Sequence, residues 1–538
     1  MKDYDFIIVG AGSAGCVLAA RLSASGQYQV ALIEAGGSAE RFWINTPIGF
    51  GRLYEDPKSN WLYQSEPELE LNNTRSFQSR GKVLGGTSSI NGLVYMRGQQ
   101  HDFNQWKALG NYGWGYEDVL AFFKKSEKNQ NGANYFHGDQ GPLGVSNSSP
   151  HELADAFLAA GVQAGYELNK DLNGSSQDGF GYIPMTTYKG QRSSSASAYL
   201  KPIRNRKNLH IITKALVTRI LFNHNTAIGI QYLHQGLSCH IQARREVIVS
   251  GGVFNSPQLL ELSGIGQAKR LETLGIPVKV DLPGVGENLQ DHFTASVTYR
   301  CTKKITLNDI INQPLRRIGM GIQYLLTRSG PMASGGVPSV GCLRSDPTEL
   351  SPDIKLNLQL WGRSSTGKAK KGLDLLPFSS FGISMNLLHP ESRGHVHIKN
   401  NNPLTAPSIQ FNFFSTENDR RKAIYGLKEV RRLAKTTALK PYIQEEITPG
   451  PQFQTENELQ AYCRSAGRST HHGTSTCKMG IDKLAVVDPQ LKVIGINQLR
   501  IIDASIMPNL VGGNTNAATI MIGEKGASML LKDHESIT

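Results

Sequence analysis

Apolar positions along this chain follow two spacings, and the switches between them mark its elements. Residues 6–9 (FIIV) form a short continuous apolar run suited to a buried strand, and Val17, Leu18 and Leu22 then follow at helical spacing. A second short run, residues 29–33, predicts the next strand. Residues 35–76, rich in Gly, Pro, Asn and Trp, show little periodicity and read as an extended excursion over the surface. Helical spacing returns over residues 102–128, with Trp106, Leu109, Val119, Phe122 and Phe123 as the apolar positions. The β-type runs LHIIT, ALVTRILF, AIGIQYL and REVIVSG, between residues 208 and 250, predict a meander feeding a last buried strand that ends at Gly251-Gly252. Ser256 as N-cap, Pro257 at the first helical position and Gly264 at the end outline the helix that follows. From about residue 300 to 460 loops lengthen, β-type runs appear at 394–398 and 408–414, and a helix is expected over 419–434. That pattern suits a second domain built on an antiparallel sheet. A strand ending at Asp503 and a helix opening near Gly512-Gly513 close the chain.

The first switch carries chemistry. Gly10-Ala11-Gly12-Ser13-Ala14-Gly15 joins strand to helix without a break, and Glu34 ends the second strand. In such a unit Gly10 makes the tight turn, Gly12 lets backbone approach a pyrophosphate and Gly15 lets helix and sheet pack closely, while the acid accepts from ribose hydroxyls. No arginine follows Glu34 at once to favour a 2′-phosphate. The fingerprint indicates a dinucleotide and leaves NAD and FAD open. Because the last strand and helix plausibly complete the same domain, the expected organisation is a discontinuous nucleotide domain (1–155, 205–300, 465–538) with an inserted substrate domain (156–204, 301–464). The fold class is α/β, a Rossmann-like domain with an antiparallel-sheet insertion carrying helices.

Bulk properties narrow the setting. A chain of 538 residues is too long for one core, and 39% hydrophobic with 19% charged residues describes an ordinary globular enzyme. The formal charge of +13 comes from scattered Lys and Arg with short groupings at 201–207 and 368–371, which indicates a cationic surface and no nucleic-acid partner. Six cysteines without CxxC spacing read as reduced, mostly buried thiols. The first strand begins within a few residues of Met1, leaving no room for a signal peptide, so a cytoplasmic location is expected. Residues 314–330 form a basic amphipathic helix for which a surface helix is the commoner reading and peripheral contact with the inner face of a membrane the alternative. His395 and His397 alternate like metal ligands but lack companions, so they are expected to face solvent, and no metal is assigned.

Four separated segments together resemble one family, the FAD-dependent glucose-methanol-choline oxidoreductases, over nearly the whole chain. GAGSAG with Glu34 looks like its FAD fingerprint, GKVLGGTSSINGLVYMRG (81–98) its first signature, NSPQLLELSGIG (255–266) its second, and HGTSTCKMG (472–480) with DASIMPNLVGGNTNA (503–517) its active-site region. The choline dehydrogenase and alcohol dehydrogenase branch is the most similar. The resemblance implies FAD contacts at Gly10, Gly12, Ser13, Ala14, Gly15, Glu34, Ala35, Gly81, Val83, Gly86, Thr87, Asn91, Gly92, Val94, Val217, Asp503, Ala504, Asn514, Thr515 and Asn516, with Gly513 also beside the cofactor. Val253 and Gly473 are departures, standing where the family more often has a smaller residue and a proline. Ile90 occupies the position where some members carry a flavin-linking histidine, which implies noncovalent FAD.

His472 falls on the family's catalytic histidine and Asn514 on its partner position. Alcohol oxidation needs one base of near-neutral pKa and one polar group to orient the oxygen, while flavin accepts the hydride. His471 is the competing base, and on an extended segment adjacent side chains point apart. The implied activity is oxidation of an alcohol, primary by preference, to an aldehyde, with electrons passed to a quinone-type acceptor. An oxygen-using oxidase is the alternative within the family. A hydroxynitrile lyase and a protein using FAD only structurally or as a sensor are the rivals.

Overall fold

The computed structural model describes residues 3–363 and 374–535; the basic run at 368–371 falls outside them. A first sheet runs in the order Leu209–Ile212, Val30–Ile33, Asp3–Val9, Leu237–Val249, Thr226–His234, Ala215–Asn223. Leu499–Ile501 pairs in parallel with the second half of Leu237–Val249. The first four strands are parallel, with Val9 opposite both Ile33 and Val249, and the meander completes the sheet in antiparallel register. Ile7, Ile8 and the whole of Val30–Ile33 are buried because both faces are covered, which is why these strands read as unbroken apolar runs.

The helices Ser13–Leu22 and Thr515–Glu535 pack against each other on one face. Gly523 allows this approach, since a Cβ there would stand 3.1 Å from the Ala14 backbone. Arg21 forks onto the buried Glu524 at 2.8 and 2.7 Å, and Tyr199 donates to the same carboxylate. Strand and helix signals on both sides of the insertion thus converge on one sheet.

The second sheet, antiparallel throughout, runs Ile443–Thr448, Phe293–Cys301, Ser380–Leu387, Ile354–Gln359, Ser339–Leu343, Gly179–Tyr182, with Arg468–Ser469 against Phe293–Cys301. Phe293–Cys301, except for Cys301 itself, and Arg468–Ser469 lie within the stretches expected from sequence to form the nucleotide domain, yet they hydrogen-bond into this sheet. Helix Glu417–Ala434, found close to its expected span, covers one face, and Gly426 lets it pack closely, since a Cβ there would stand 3.1 Å from Met385. In Ile354–Gln359 the apolar Ile354, Leu356 and Leu358 belong to the buried core, while Lys355, Asn357 and Gln359 face a cavity beneath the sheet, joined by Ser384 and Asn386. Period-two alternation therefore gives the sheet a polar underside.

Several local expectations are corrected. The helix after Gly251 is Gly252–Leu262, beginning four residues before Ser256, because Asp503 captures the Gly252 N–H at 2.8 Å and the Ser256 hydroxyl at 2.6 Å. Pro257 sits inside it; the carbonyl its missing N–H would have served, that of Val253, accepts from the Thr476 hydroxyl at 2.6 Å. The stretch expected to be an excursion at 35–76 holds the short helices Phe42–Asn45 and Phe50–Leu53 and a hairpin of Tyr63–Glu68 with Thr74–Gln78, which runs just past its end. The 102–128 stretch is two helices, Gln100–Ala108 and Tyr116–Ser126, with Leu109 exposed. His397 is buried between Glu261 (2.8 Å) and Glu287 (3.0 Å), not solvent-facing; two carboxylates hold its pKa up against burial. All six cysteines are free and all but Cys239 buried. Among the described residues no helix is long and apolar enough to cross a membrane.

Candidate active site

One cavity of about 460 Å³ runs from the glycine turn of the first sheet to the polar underside of the second. Its volume lies in the range of small-molecule sites. Gly10, Gly12, Ser13, Ala14, Glu34, Ala35, Gly81, Gly86, Thr87, Asn91, Gly92, Val94, Val217, Asp503, Ala504, Asn514, Thr515, Asn516 and His472 all line it. Three expected positions do not. Gly15 is a packing residue, since a Cβ there would come within 1.9 Å of the Gly10 carbonyl. Val83 packs with Ile44, Leu53 and Ile90, and Gly513 lies against the Gly98 and Met96 backbone.

At the glycine end the wall is mostly main chain. A Cβ on Gly12 would meet nothing closer than the Ser250 carbonyl at 3.9 Å, and one on Gly92 nothing within 4 Å, so both present bare backbone to the void. Gly12 also precedes helix Ser13–Leu22 without any side-chain cap, leaving the first amides available to an anionic group. Glu34 is held by the amides of Ala11 (2.9 Å) and Gly36 (2.7 Å), and burial raises its carboxyl to about 7. Asp503 accepts from Gly252, Ser256 and Ser505. Backbone cradle, uncapped helix and acid at the strand end fit an elongated dinucleotide.

At the other end side chains do the positioning. His472 Nε2 lies 2.9 Å from Asn514 Nδ2, and its Nδ1 lies 2.9 Å from both His292 Nδ1 and Thr470 Oγ1. The two ends of this chain of contacts decide every proton in it. His292 Nε2 is 3.1 Å from the Val511 carbonyl, which only accepts, so that nitrogen carries hydrogen and neutral His292 offers a lone pair at Nδ1. His472 therefore donates from Nδ1 and keeps Nε2 bare. Lys355 donates to Asn514 Oδ1 at 2.8 Å, so the amide turns its NH₂ toward that bare nitrogen. Burial, with His292 and Lys355 nearby, drives the His472 pKa well below 6.5 and keeps the ring neutral. Burial also brings Lys355 down to about 8.

His471, in the left-handed region at φ 65°, turns its Nε2 to Tyr54 Oη at 3.1 Å, so both histidines line the cavity but on different walls. Asn91 is held by the buried Arg192 at 2.7 Å. His292, Lys355 and Arg192 escaped sequence reasoning. Only Lys355 left a trace, the polar alternation within residues 354–359. Among the described residues no group of three His, Cys, Asp or Glu is arranged to hold a metal.

With the cavity's two ends in place, similarity to known proteins can be set beside the geometry. GMC oxidoreductase family models match residues 4–294 and 390–523. The chain belongs to the GMC oxidoreductase family. It is 40% identical to the mitochondrial choline dehydrogenase of Mus musculus, over 99% of this chain and 90% of that one. It is 41% identical to an oxygen-dependent choline dehydrogenase of Yersinia pseudotuberculosis, over 98% and 94%. Among solved structures, pyridoxine 4-oxidase from Mesorbium loti superposes with a TM-score of 0.88 at 28% identity, covering 99% of both chains. The family matches cover the first sheet and the outer parts of the second, whose strands Ser339–Leu343, Ile354–Gln359 and Ser380–Leu387 fall between them, and His472 and Asn514 both lie within the C-terminal match.

Proposed function

We propose that this chain binds FAD in the cavity and oxidises an alcohol to the corresponding aldehyde, with His472 as the base. The observation that carries this is the bare Nε2 of a neutral, buried His472 facing the Asn514 amide inside the cavity. Bound there, FAD would supply the two-electron acceptor for the carbinol hydride. A substrate hydroxyl placed between the two side chains would accept from Asn514 Nδ2 and give its proton to His472 Nε2. His292, passing hydrogen-bond polarity from the Val511 carbonyl, would steady the imidazolium that results. Asp503, Glu34 and the Gly10–Ser13 turn are the proposed nucleotide contacts, and Asn91 and Gly92 the proposed flavin contacts. Noncovalent attachment is proposed because Ile90 is a buried hydrocarbon with no atom able to bond to a flavin. The nucleotide and substrate domains are proposed to be the two units built on the two sheets.

Anaerobic flavin absorbance with a panel of alcohols tests the reading, followed by admission of air. Bleaching by one alcohol class supports it, and fast recolouring in air assigns the oxidase branch over the quinone-type acceptor proposed. Cyanohydrin cleavage without bleaching would replace it with the lyase reading.

We propose, too, that helix Pro314–Thr327 rests on an acidic membrane surface, where a quinone acceptor would be found. Leu315, Ile318, Ile322, Leu325 and Leu326 form one exposed stripe, from 54% to 84% accessible, and Phe42 beside Tyr324 extends it. Arg316, Arg317 and Arg328 flank the stripe, as an interfacial helix on anionic lipid requires. Sedimentation with phosphatidylserine-containing vesicles, lost in Leu315→Asp/Leu326→Asp, is the expected result; equal recovery with and without vesicles would refute it.

A further inference from the structure

The cavity's substrate end is lined by cations and, among the described residues, by no acid. Arg80, Arg363, Arg468 and Lys355 line it, whereas the lining carboxylates, Glu34 and Asp503, are committed to backbone amides and a serine at the glycine end. None of the three guanidiniums has a described carboxylate within 4.0 Å, and among the described residues the buried Nε and Nη2 of Arg80 and Nε of Arg363 have no hydrogen-bond partner. Elsewhere in the molecule the buried Arg97 is paired with Glu127 at 2.5 Å and Arg500 with Glu246 and Asp533 at 2.8 and 2.5 Å, whereas the buried Arg192 has no described carboxylate and donates to the Ile44 and Ser88 carbonyls and to Asn91. Arg80 instead spends Nη1 on the His471 carbonyl at 2.9 Å and lies 5.0 Å from the Phe254 ring centre. The acid behind it, Asp291, is taken up by Ser469 and by the His472 amide at 2.8 Å. Arg80 and Arg363 are half-buried and Arg468 is exposed, so the cost falls on the buried, unpartnered edges of Arg80 and Arg363, and an anionic ligand is their usual compensation.

Two further observations point the same way. His471 is driven down to about 3, first by burial and then by the charges of Arg80, Arg468 and Arg363, so all three cations act on the same part of the cavity. Aromatic walls could in principle serve a quaternary ammonium. Here the Trp61 ring is already covered by Lys82 at 4.5 Å and Phe254 by Arg80, while Phe50, Tyr54 and Trp361 also line the cavity, so it is the cations rather than the rings that set its preference.

We infer that the alcohol oxidised at this site carries an anionic group, a carboxylate, sulfonate or phosphate, received by Arg363, Arg468 and the free edge of Arg80 while its hydroxyl lies between His472 and Asn514. The inference rests on the alcohol-oxidation reading and departs from the choline named for the chain's relatives. The hydroxyl proton goes to His472 Nε2, the carbinol hydrogen leaves with two electrons as hydride to the flavin, and the aldehyde keeps the anion.

The test compares the holoenzyme's anaerobic bleaching by choline, its neutral isostere 3,3-dimethylbutan-1-ol, and 3-hydroxypropanoate, 3-hydroxypropane-1-sulfonate and glycerol 3-phosphate. At least one anion is expected to exceed the neutral alcohol tenfold or more in kcat/KM and choline a hundredfold or more, and the anion that leads identifies the group. Arg468→Glu, on a side chain open to the cavity, should erase that preference. Separately, propionate, propane-1-sulfonate and inorganic phosphate are titrated against the flavin spectrum. A saturable shift weakened tenfold or more in Arg468→Gln supports the anion site. Faster bleaching by choline than by every anion, or no spectral shift with any of the three anions, overturns it. Should no alcohol bleach the flavin, the oxidation reading falls, and the anion titration still decides the site.

Discussion

At the Gly10–Ser13 end of the cavity the wall is made of backbone, and its two carboxylates are fully occupied by amides and short hydroxyls. At the His472 end the wall is made largely of side chains, and its cations have no described carboxylate within 4.0 Å. At the first end only main-chain amides await a ligand; at the second, side-chain charge does. Rigid, self-satisfied construction suits a resident cofactor, and an unsatisfied charge suits a ligand that comes and goes.

The widest gap between the ends should appear with His472→Ala. Rapid-reaction flavin reduction is expected to fall by roughly 10²–10⁴-fold with flavin content unchanged, the span of a lost general base. A loss of less than tenfold would mean that His472 is not the base. Gly15→Ala attacks the opposite end, placing a methyl 1.9 Å from the Gly10 carbonyl. The backbone must move, at a cost of about 1–3 kcal/mol, and flavin stoichiometry and Tm should both drop. Gly37→Ala, with nothing within 4 Å of the added carbon, is the control that should leave both unchanged. Lys355→Met should free the Asn514 amide to turn over, slowing reduction by about tenfold while thermal stability rises, because a buried cation without a carboxylate is removed.

The smallest effect lies far from both ends, where a buried cluster is balanced. His137 sits between Glu127 and Asp171, and these acids raise its pKa from 6.5 to about 9 against burial. A folded pKa above the unfolded value gives stability that is complete below about pH 6.5 and lost as pH rises through about 9. Thermal melts at pH 6.5 and 9.5 should therefore differ more for the wild type than for His137→Gln. An equal difference would show that the cluster is not linked to folding.

The same contrast explains what could be read from residue order. The glycine end is local: strand, turn, helix and acid fall within residues 6–34, and each leaves a compositional mark because backbone geometry demands particular residues there. The meander of residues 208–250 and helix Glu417–Ala434 were legible for similar reasons of periodicity. His292 and Lys355 were not, since each acts through a partner, at 180 residues from His472 and 159 from Asn514. Nor could the start of Gly252–Leu262 be placed, because its cap is Asp503, 251 residues away. His397 looked exposed for want of neighbours in sequence, and its two carboxylates arrive only through folding.

The fork from Arg21 to Glu524 bears on how the protein is made. Its partners are separated by 503 residues. At about 5–20 residues per second a ribosome needs roughly 25–100 s to travel between them. Throughout that interval the nascent fingerprint helix lacks the helix that covers it, and its apolar face is a target for chaperones. Because the helix that covers the fingerprint comes last, products truncated before Glu524 are expected to leave the ribosome without flavin, which flavin absorbance of such truncations would check.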